Sequence, residues 1–414
     1  MSSRKTFLVN GNALLTQVGP ADAAESGRPR TGKAQLSPSA LLRVEDGDWL
    51  VESSRSPWRV VLHDPRLIQM LGLLSTACSA ADLVSDSRSR EFVETVLDVL
   101  HGARLLAAEE ALPAPARPRW EFHDRYFHAR SRGGCTPDRV GGTFRGSVGR
   151  TRLPAAKPLP AGDGIPLARP TWEAMAGKDP SLAVAMEART SVRGKAPVPL
   201  SADELGEFLY RVARIRSVQP EQSGPEFGYA RSDRPFPSGG AVYELEIYLT
   251  VARCRGLDAG SYHYDPAEHV LRPIDAAPDD RSALMHIARA STGGQSDPDV
   301  LITIAARFGR VTWKYESMAY ALTLKHVGVL YQTMYLVATA MRLSPCALGS
   351  GDSDAAARVL HLDPVEEPPV GEFILSGSPV AAPEALRGGD WEPLHDHQWK
   401  EAALRALWSA QVAE

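Results

Sequence analysis

The sequence is poor in cysteine, and its four cysteines form no CxxC pair. Their wide separation argues against a disulfide framework and against a cysteine zinc site. We expect reduced thiols at Cys78, Cys135, Cys254 and Cys346. The histidines give no better metal signal, because neither His123-Asp124 with His128 nor the string His395-Asp396-His397 has a zinc spacing such as HExxH. We therefore predict no metal site.

The chain also lacks an excess of positive charge and a long apolar run. Its formal net charge is -4 and its basic residues are scattered, which makes nucleic acid an unexpected partner. The uncharged run 327–341 is shorter than the roughly 20 apolar residues that span a bilayer, so we predict a buried helix and no membrane association. No apolar segment with a cleavage site begins the chain, which predicts a cytoplasmic location.

Three common catalytic or nucleotide-binding motifs are missing. The sequence has no GxGxxG after a predicted strand and no GxxxxGK[ST], so neither a Rossmann dinucleotide site nor a P-loop is supported. Ser238 stands in the string PSGG and not in GxSxG, which argues against a serine hydrolase. Any cofactor must therefore be held by another arrangement.

Prolines and glycines divide the chain, which is longer than one hydrophobic core usually organises. The string PAPARP at 113–118 interrupts regular structure, and the proline-rich stretch 154–170 is typical of an extended arm. We predict an N-terminal module over 1–112, a connector over 113–177 and a catalytic domain over 178–414.

Short β-like strings followed by helix-like ones predict a small winged-helix-like module at the N-terminus. The helix predicted over 89–100 carries apolar residues at helical spacing. Its scarcity of Lys and Arg does not suit DNA, which leaves two interpretations open: a peptide-binding module or a module that serves only packing.

The catalytic region alternates strand and helix signals. Strands are predicted over 244–252, 300–306 and 372–375, and helices over 202–215, 281–290, 317–342 and 353–360. Along the longest helix, Leu324, Val327, Tyr331, Met334, Tyr335, Ala338 and Met341 follow the 3,4 spacing of an apolar stripe. These signals predict an α+β or α/β sandwich around a central helix.

Three short strings could bind a ligand. In Arg189-Thr190-Ser191-Val192-Arg193, two guanidiniums and a hydroxyl suit a phosphate. In Pro237-Ser238-Gly239-Gly240 and in Leu348-Gly349-Ser350-Gly351-Asp352, glycines let the backbone approach a flat or anionic ligand closely. Each string separately is common in ordinary turns.

Taken in order, these strings resemble the nitroreductase-like FMN flavoprotein superfamily. RTSVR, PSGGAVYELEIYL, the helix with Gly328 and Gln332, and PCALGSGD are similar to the SagB-type dehydrogenases, which oxidise azoline rings in maturing peptides. The string WEFHDRYFHARSRGG and Gly141-Gly142-Thr143 look like the connector of that family. The resemblance implies a nitroreductase-like three-layer α+β sandwich and a homodimer with FMN at the subunit interface.

The resemblance also assigns residues to the cofactor. Arg189, Ser191 and Arg193 would hold the FMN phosphate and ribityl chain. Pro237, Ser238, Gly239 and Gly240 would line the flavin from the other subunit, and Leu348, Gly349 and Ser350 would pack against its ring. Where the family usually has an acidic residue and a histidine, this chain reads Lys325-His326-Val327-Gly328, so the role of His326 stays open.

Lys314-Tyr315 is the most discriminating dipeptide, because it is similar to the Lys-Tyr pair of the azoline-oxidising branch. The resemblance implies that this pair is catalytic. Both side chains normally titrate near pH 10, so either needs a depressed pKa to act as a base. Burial could lower that of Lys314, and Lys314, Arg307 or Arg310 could instead favour the tyrosinate of Tyr315.

The resemblance predicts an FMN-dependent dehydrogenase that converts thiazoline or oxazoline rings in a ribosomally made peptide to thiazole or oxazole. An azoline-containing precursor peptide and a cyclodehydratase, docking through the N-terminal module, are the expected partners. Two alternatives remain open: a general NAD(P)H-dependent FMN nitro or quinone reductase, and a non-catalytic scaffold of a peptide-modifying complex.

Overall fold

A computed structural model describes most of the chain. The described residues are 2–9, 12–20, 32–107, 120–134, 138–147, 149, 151–159, 162, 164–193, 196–221, 228–379, 395–396 and 398–409. The predicted break at 113–118, Cys135 and His397 lie outside them. Two compact units are present, Met1–Gly146 with Lys314–Ala319, and Ser147–Trp313 with Tyr320–Glu414. Cys78, Cys254 and Cys346 form no disulfide among the described residues.

Sixteen strands and twelve α-helices are assigned among the described residues. The strands are β1 (Ser2–Val9), β2 (Asn12–Pro20), β3 (Ala40–Glu45), β4 (Asp48–Ser53), β5 (Arg59–Leu62), β6 (Gly141–Gly142), β7 (Ile165–Pro166), β8 (Ser217–Gln219), β9 (Arg231–Asp233), β10 (Leu245–Val251), β11 (Gly260–Asp265), β12 (Val270–Ile274), β13 (Val300–Ala306), β14 (Tyr315–Glu316), β15 (Ser344–Leu348) and β16 (Pro369–Ser376). The helices are α1 (Pro65–Leu73), α2 (Ala80–Leu83), α3 (Arg90–Gly102), α4 (Phe122–Arg130), α5 (Trp172–Lys178), α6 (Leu182–Ala188), α7 (Ala202–Ala213), α8 (Pro278–Ser291), α9 (Phe308–Thr312), α10 (Ala319–Ala340), α11 (Ser353–Val359) and α12 (Gln398–Ser409).

The first unit is built on a five-stranded antiparallel sheet in the order β1-β2-β5-β4-β3. Helix α3 buries one apolar face in its core, as the helical spacing predicts, with Phe92, Val93, Val96, Leu97 and Leu100 all buried. Helix α4, which carries the connector string, is fixed by Tyr126 and Arg130. Their side chains donate to Glu52 of β4 at 2.5 and 3.0 Å, where Arg43 also donates at 2.6 Å. The string that resembles a connector is therefore anchored to this sheet.

The second unit is built on a seven-stranded sheet in the order β15-β16-β13-β10-β11-β12-β7. Every pairing in it is antiparallel, which decides between the two predicted classes in favour of α+β. The predicted strands correspond to β10, β13 and β16, and the predicted helices to α7, α8, α10 and α11. No strand was predicted for β7, β11, β12 or β15, and no helix for α12.

Helices cover both faces of this sheet. Residues Leu245, Ile247 and Leu249 of β10 join one core with α7 and α10, while α8 and α11 pack over Leu301 and Ile374 on the other face. Successive side chains of a strand point to opposite faces of the sheet, which separates these two groups of core residues. The result is three layers, with α10 against the middle of the sheet.

The long helix α10 differs in one respect from its predicted apolar stripe. Val327, Leu330, Met334 and Ala338 are buried in the core, but Leu324 is 38% exposed. The stripe predicts the central helix of a domain or of a dimer, and in the single chain Leu324 lies outside the core.

Candidate functional site

The string RTSVR follows α6 and meets α10 through one tyrosine. The hydroxyl oxygens of Ser191 and Tyr335 lie 2.8 Å apart, and the backbone N–H of Ala347 in β15 donates to the same tyrosine oxygen at 2.8 Å. The N–H of Val192 also donates to the carbonyl of Pro345 at 2.8 Å. Tyr335 therefore joins RTSVR to β15, one residue before the string Leu348–Asp352 begins.

The two arginines of this string leave positive charge uncompensated. Arg189 is half-buried, with its guanidinium carbon 5.3 Å from the centroid of the Tyr335 ring, and Arg193 is exposed. Neither guanidinium has a carboxylate partner among the residues that the structure describes. Two free guanidiniums beside the Ser191 hydroxyl form a suitable site for an anion such as a phosphate.

The bend after β15 presents mostly backbone. Leu348 is buried in the core formed with α8 and α11, and a side chain at Gly349 would enter open space. Ser350 donates from its hydroxyl to Ser291 at 3.1 Å and accepts from that residue at its carbonyl at 3.2 Å. Glu372 lies directly under Gly351, where a Cβ would collide with its carboxyl, and burial raises the pKa of Glu372.

The PSGG loop is held to α10 by His326. The N–H of Gly239 donates to Nε2 of His326 at 2.8 Å. Since that nitrogen accepts, the imidazole is neutral with its proton on Nδ1, which donates to Oε1 of Glu244 at 2.6 Å. Glu244 is fully buried. The structure thus gives His326 a role that the sequence left open: it positions the loop.

Further hydrogen bonds fix the curvature of the same loop. Ser238 accepts from the N–H of Tyr243 at 3.1 Å, and the hydroxyl of Tyr229 donates to the carbonyl of Gly240. Gly240 has φ 63°, and Tyr243 has φ 43°, conformations that cost little only for glycine. Pro237 is exposed at the start of the bend. The loop is therefore ordered around its two glycines.

The PSGG loop and the RTSVR string contact different levels of α10. His326 and Tyr335 are nine residues apart in the sequence, which corresponds to about 13 Å along a helix. Within one chain, RTSVR contacts β15, the strand that leads into the glycine-rich bend, and PSGG lies elsewhere on the helix.

Lys314 and Tyr315 belong to the first unit, where the string Gly141-Gly142-Thr143 clamps them. Strand β14 pairs with β6, so that Tyr315 lies opposite Gly142, and Glu316 lies opposite Gly141. Thr143 donates to Glu316 at 2.7 Å. A Cβ at Gly142 would lie 3.6 Å from Cε of Lys314. Gly141 has φ 125°, a backbone conformation that favours glycine.

Two aromatic rings lie near the ammonium group of Lys314. Nζ of Lys314 lies 5.7 Å from the ring centroid of Phe144 and 5.3 Å from that of Tyr315. The N–H of Phe144 donates to the carbonyl of Lys314 at 3.0 Å, and Arg145 donates to Glu316 at 2.7 Å. The ammonium therefore has two rings within cation–π distance.

Arg307 and Arg310, considered above as cations for Tyr315, bind the backbone in the second unit. Arg310 donates to the carbonyls of Val242 and Leu153, each at 2.7 Å, and burial lowers its pKa to about 10. Arg307 donates to the carbonyl of Pro154 at 3.0 Å. Both guanidiniums thus fasten the proline-rich arm.

Sequence reasoning missed three side chains of these sites. Tyr335 was assigned to an apolar stripe, although a phenol in such a stripe needs a hydrogen-bond partner and could have marked a polar contact. Glu244 is the first residue of a predicted strand, and Thr143 is part of the predicted connector.

Among the described residues, no group of three or more His, Cys, Asp or Glu is placed to hold a metal ion, and no helix is long and apolar enough to cross a bilayer.

Comparison with known protein families identifies both halves of the chain. Residues 34–136 match the model of the cyanobactin oxidase ThcOx, and residues 186–374 match that of the nitroreductase family. The first match covers most of the N-terminal unit. The second contains all three predicted ligand-binding strings and the Lys314-Tyr315 pair.

Individual relatives agree with these two matches. A Methanocaldococcus jannaschii protein named as a nitroreductase, MJ1384, is 30% identical over 45% of this chain and 88% of its own length. The microcin B17-processing protein McbC of Escherichia coli is 30% identical over 34% of this chain and 52% of its own length. The trifolitoxin-processing protein TfxB of Rhizobium leguminosarum bv. trifolii is 29% identical over 44% of this chain and 49% of its own length.

The chain thus spans about half the length of the two peptide-processing relatives and most of the archaeal one. The predicted resemblance to peptide-processing oxidases and the predicted nitroreductase-like α+β fold are both confirmed. This chain belongs to the nitroreductase family.

Proposed function

We propose that this protein is an FMN-dependent dehydrogenase that converts thiazoline or oxazoline rings in a ribosomally made peptide to thiazole or oxazole. The observation that carries the proposal is the Lys314-Tyr315 pair, which a dedicated Gly-Gly-Thr segment clamps through strand pairing and the Thr143–Glu316 hydrogen bond. A pair held this firmly is suited to positioned acid–base work. The matches to a cyanobactin oxidase and to two peptide-processing proteins support the choice of a peptide substrate.

The described residues fit FMN. Arg189 and Arg193 supply positive charge with no carboxylate partner in the described part of the chain, and Ser191 supplies a hydroxyl for the phosphate and ribityl chain. Gly349 leaves open space for a flat ring, and Gly239 and Gly240 form an ordered glycine bend. When bound, FMN supplies a two-electron acceptor that takes a hydride at its N5 position.

Aromatisation of an azoline removes a proton from the ring carbon beside nitrogen and a hydride from the carbon beside sulfur or oxygen. The first carbon is acidified by the peptide carbonyl and the ring C=N unit, so a positioned base can take its proton. Lys314 or Tyr315 supplies this base in our proposal. The other residue of the pair then orients the base or stabilises its charged form.

The separation of the strings along α10 supports a homodimeric flavin site. His326 holds PSGG at one level of the helix and Tyr335 holds RTSVR at another, about 13 Å away along the axis. A second copy can therefore supply the PSGG loop to the flavin of the first. We also propose a cyclodehydratase as the partner that makes the azoline peptide, with both enzymes in the cytoplasm.

The first experiment combines a visible absorption spectrum with mass spectrometry of a synthetic azoline peptide. We expect bound flavin and a product lighter by two hydrogens. Lys314→Met and Tyr315→Phe should each slow product formation by about 10²- to 10⁴-fold with flavin still bound. The matched controls are Lys178→Met and Tyr320→Phe, which remove the same groups at exposed positions outside the pair.

Three results would contradict this proposal. Normal turnover by both variants would remove the pair from the chemistry. Rapid NADH-driven reduction of nitroaromatic compounds with no action on the azoline peptide would indicate a general reductase, the alternative that the nitroreductase match favours. A colourless protein that binds no added FMN would indicate a scaffold.

A further inference from the structure

A second cavity lies in the second unit, apart from the strings assigned to flavin. It has a volume of about 490 Å³, and its lining includes Lys157, Leu159, Tyr248, His263, Arg272 and Leu362. Ligand pockets usually enclose roughly 300–1,000 Å³. Tyr248 alternates along β10 with Ile247 and Leu249, which pack toward α10, so the cavity opens on the opposite face of the sheet.

One ring nitrogen of His263, a residue in the wall of the cavity, has no hydrogen-bond partner among the described residues. The residue is only 4% exposed, and its Nε2 lies 3.2 Å from Oε2 of Glu246. Burial raises the pKa of Glu246, but hydrogen bonding from His263 and the charges of Arg234 and Arg307 outweigh it and lower the pKa overall. Nε2 therefore donates to this carboxylate, and the unpartnered Nδ1 is an acceptor in the neutral form of the ring.

Lys157 contributes a donor beside this acceptor. Two of its three N–H groups are used by described residues: Nζ donates to the Tyr248 hydroxyl at 2.7 Å and to Glu367 at 2.6 Å. The Tyr248 hydroxyl in turn donates to Glu367 at 2.5 Å. The cavity thus offers one hydrogen-bond acceptor and one donor.

The positive charges in the wall of the cavity are paired. Lys157 is paired with Glu367, and the guanidinium of Arg272 donates to Asp265 at 2.8 and 3.1 Å. An anionic ligand would therefore lose its hydration without gaining an unpaired cation, and Asp275, which also lines the cavity, would repel it. A neutral group that both donates and accepts, such as an amide, satisfies His263 and Lys157 together.

One part of the cavity wall is apolar. It is formed by Pro158, Leu159, Ile274, Leu360 and Leu362. Such a surface gains from covering an aliphatic side chain of a ligand, at about 25 cal/mol for each Å² removed from water. Amide groups combined with aliphatic side chains are the chemistry of a peptide.

We propose that this cavity is a second peptide-binding site, which holds a neutral, aliphatic segment of the substrate peptide away from the ring being oxidised. A peptide N–H donates to Nδ1 of His263, a peptide carbonyl accepts from Lys157, and an aliphatic side chain packs against Leu159. The inference rests on the proposed function, since it takes the substrate to be a peptide. Binding at two places raises the effective concentration of the ring at the active site.

The test uses N-acetyl-prolyl-leucine amide as a probe and isothermal titration calorimetry on the whole flavin-loaded protein. We expect saturable binding, weakened at least tenfold by Leu159→Trp, which fills the cavity. His263→Phe should weaken it similarly by removing the acceptor. Val218→Trp, which introduces the same side chain at an exposed position on β8, should bind like the wild type.

Several outcomes would overturn the inference. These are no saturable binding to a protein that carries flavin, equal binding by the Leu159→Trp variant, or tighter binding of the charged analogue N-acetyl-leucine, which would indicate an anion site. The probe assay reads neither flavin nor turnover. Failure of the second site is therefore distinguishable from failure of the proposed function, which the absorption spectrum and azoline oxidation report.

Discussion

Replacement of His326 by leucine tests how the PSGG loop is held. His326 is buried, accepts from the N–H of Gly239 at 2.8 Å and donates to Glu244 at 2.6 Å. Leucine is apolar and of similar size, so the His326→Leu variant loses both hydrogen bonds without opening a large cavity. The two contacts fail together, and the loop loses its link to α10.

The expected loss of stability follows from the Glu244 carboxylate, which the substitution leaves without a hydrogen-bond donor. Oε2 of Glu244 already has no hydrogen-bond partner among the described residues, so the variant isolates a fully buried carboxylate. Leaving a buried, charged acceptor without its donor costs about 3 kcal/mol. For a unit of this size the melting temperature should fall by roughly 6 to 12 °C. Flavin content should fall as well, because Gly239 and Gly240 are no longer positioned.

Thermal melting followed by circular dichroism, with flavin measured by visible absorbance, checks this result. His326→Gln keeps an acceptor and a donor and should recover part of the stability. The double variant His326→Leu with Glu244→Leu should be more stable than His326→Leu alone, because no carboxylate is stranded. A single variant that melts and binds flavin like the wild type would refute the reasoning, as would a double variant with no recovery.

Two other side chains give independent predictions. Tyr335→Phe removes the hydroxyl that joins Ser191 to Ala347 and should weaken FMN binding about 5- to 30-fold in a titration of the flavin-free protein, whereas an unchanged Kd would show that this link is dispensable. Burial raises the pKa of Glu372 above its ordinary value of 4.5, so the folded state holds this proton more tightly than the unfolded state and loses stability as pH rises through that range. Glu372→Gln should therefore unfold at higher urea than the wild type at neutral pH and lose this advantage below about pH 4; a pH-independent difference would contradict the assignment.

Local sequence patterns were sufficient to predict several of the main helices and strands of this protein. The apolar face of α3, the buried strands β10 and β13 and the long helix α10 all follow from periodicity, because a side chain three or four positions along a helix, or two along a strand, must share its face. The order of the strings RTSVR, PSGG and LGSGD similarly indicated the family before any contact was known. Leu324 shows the limit of such patterns, since it fits the stripe and is nevertheless exposed.

The contacts that define the sites needed the tertiary structure. His326 lies 82 positions from Glu244, Thr143 lies 173 from Glu316 and Ser191 lies 144 from Tyr335. A hydrogen bond forms only when two atoms approach to about 3 Å, and over such separations the path of the whole chain decides whether they do. The sequence alone determined the elements, the ligand-binding strings and the family they resemble. Only the fold decided that Tyr335 joins RTSVR to β15, that His326 holds the PSGG loop, and that a glycine pair lies opposite Tyr315 and Glu316.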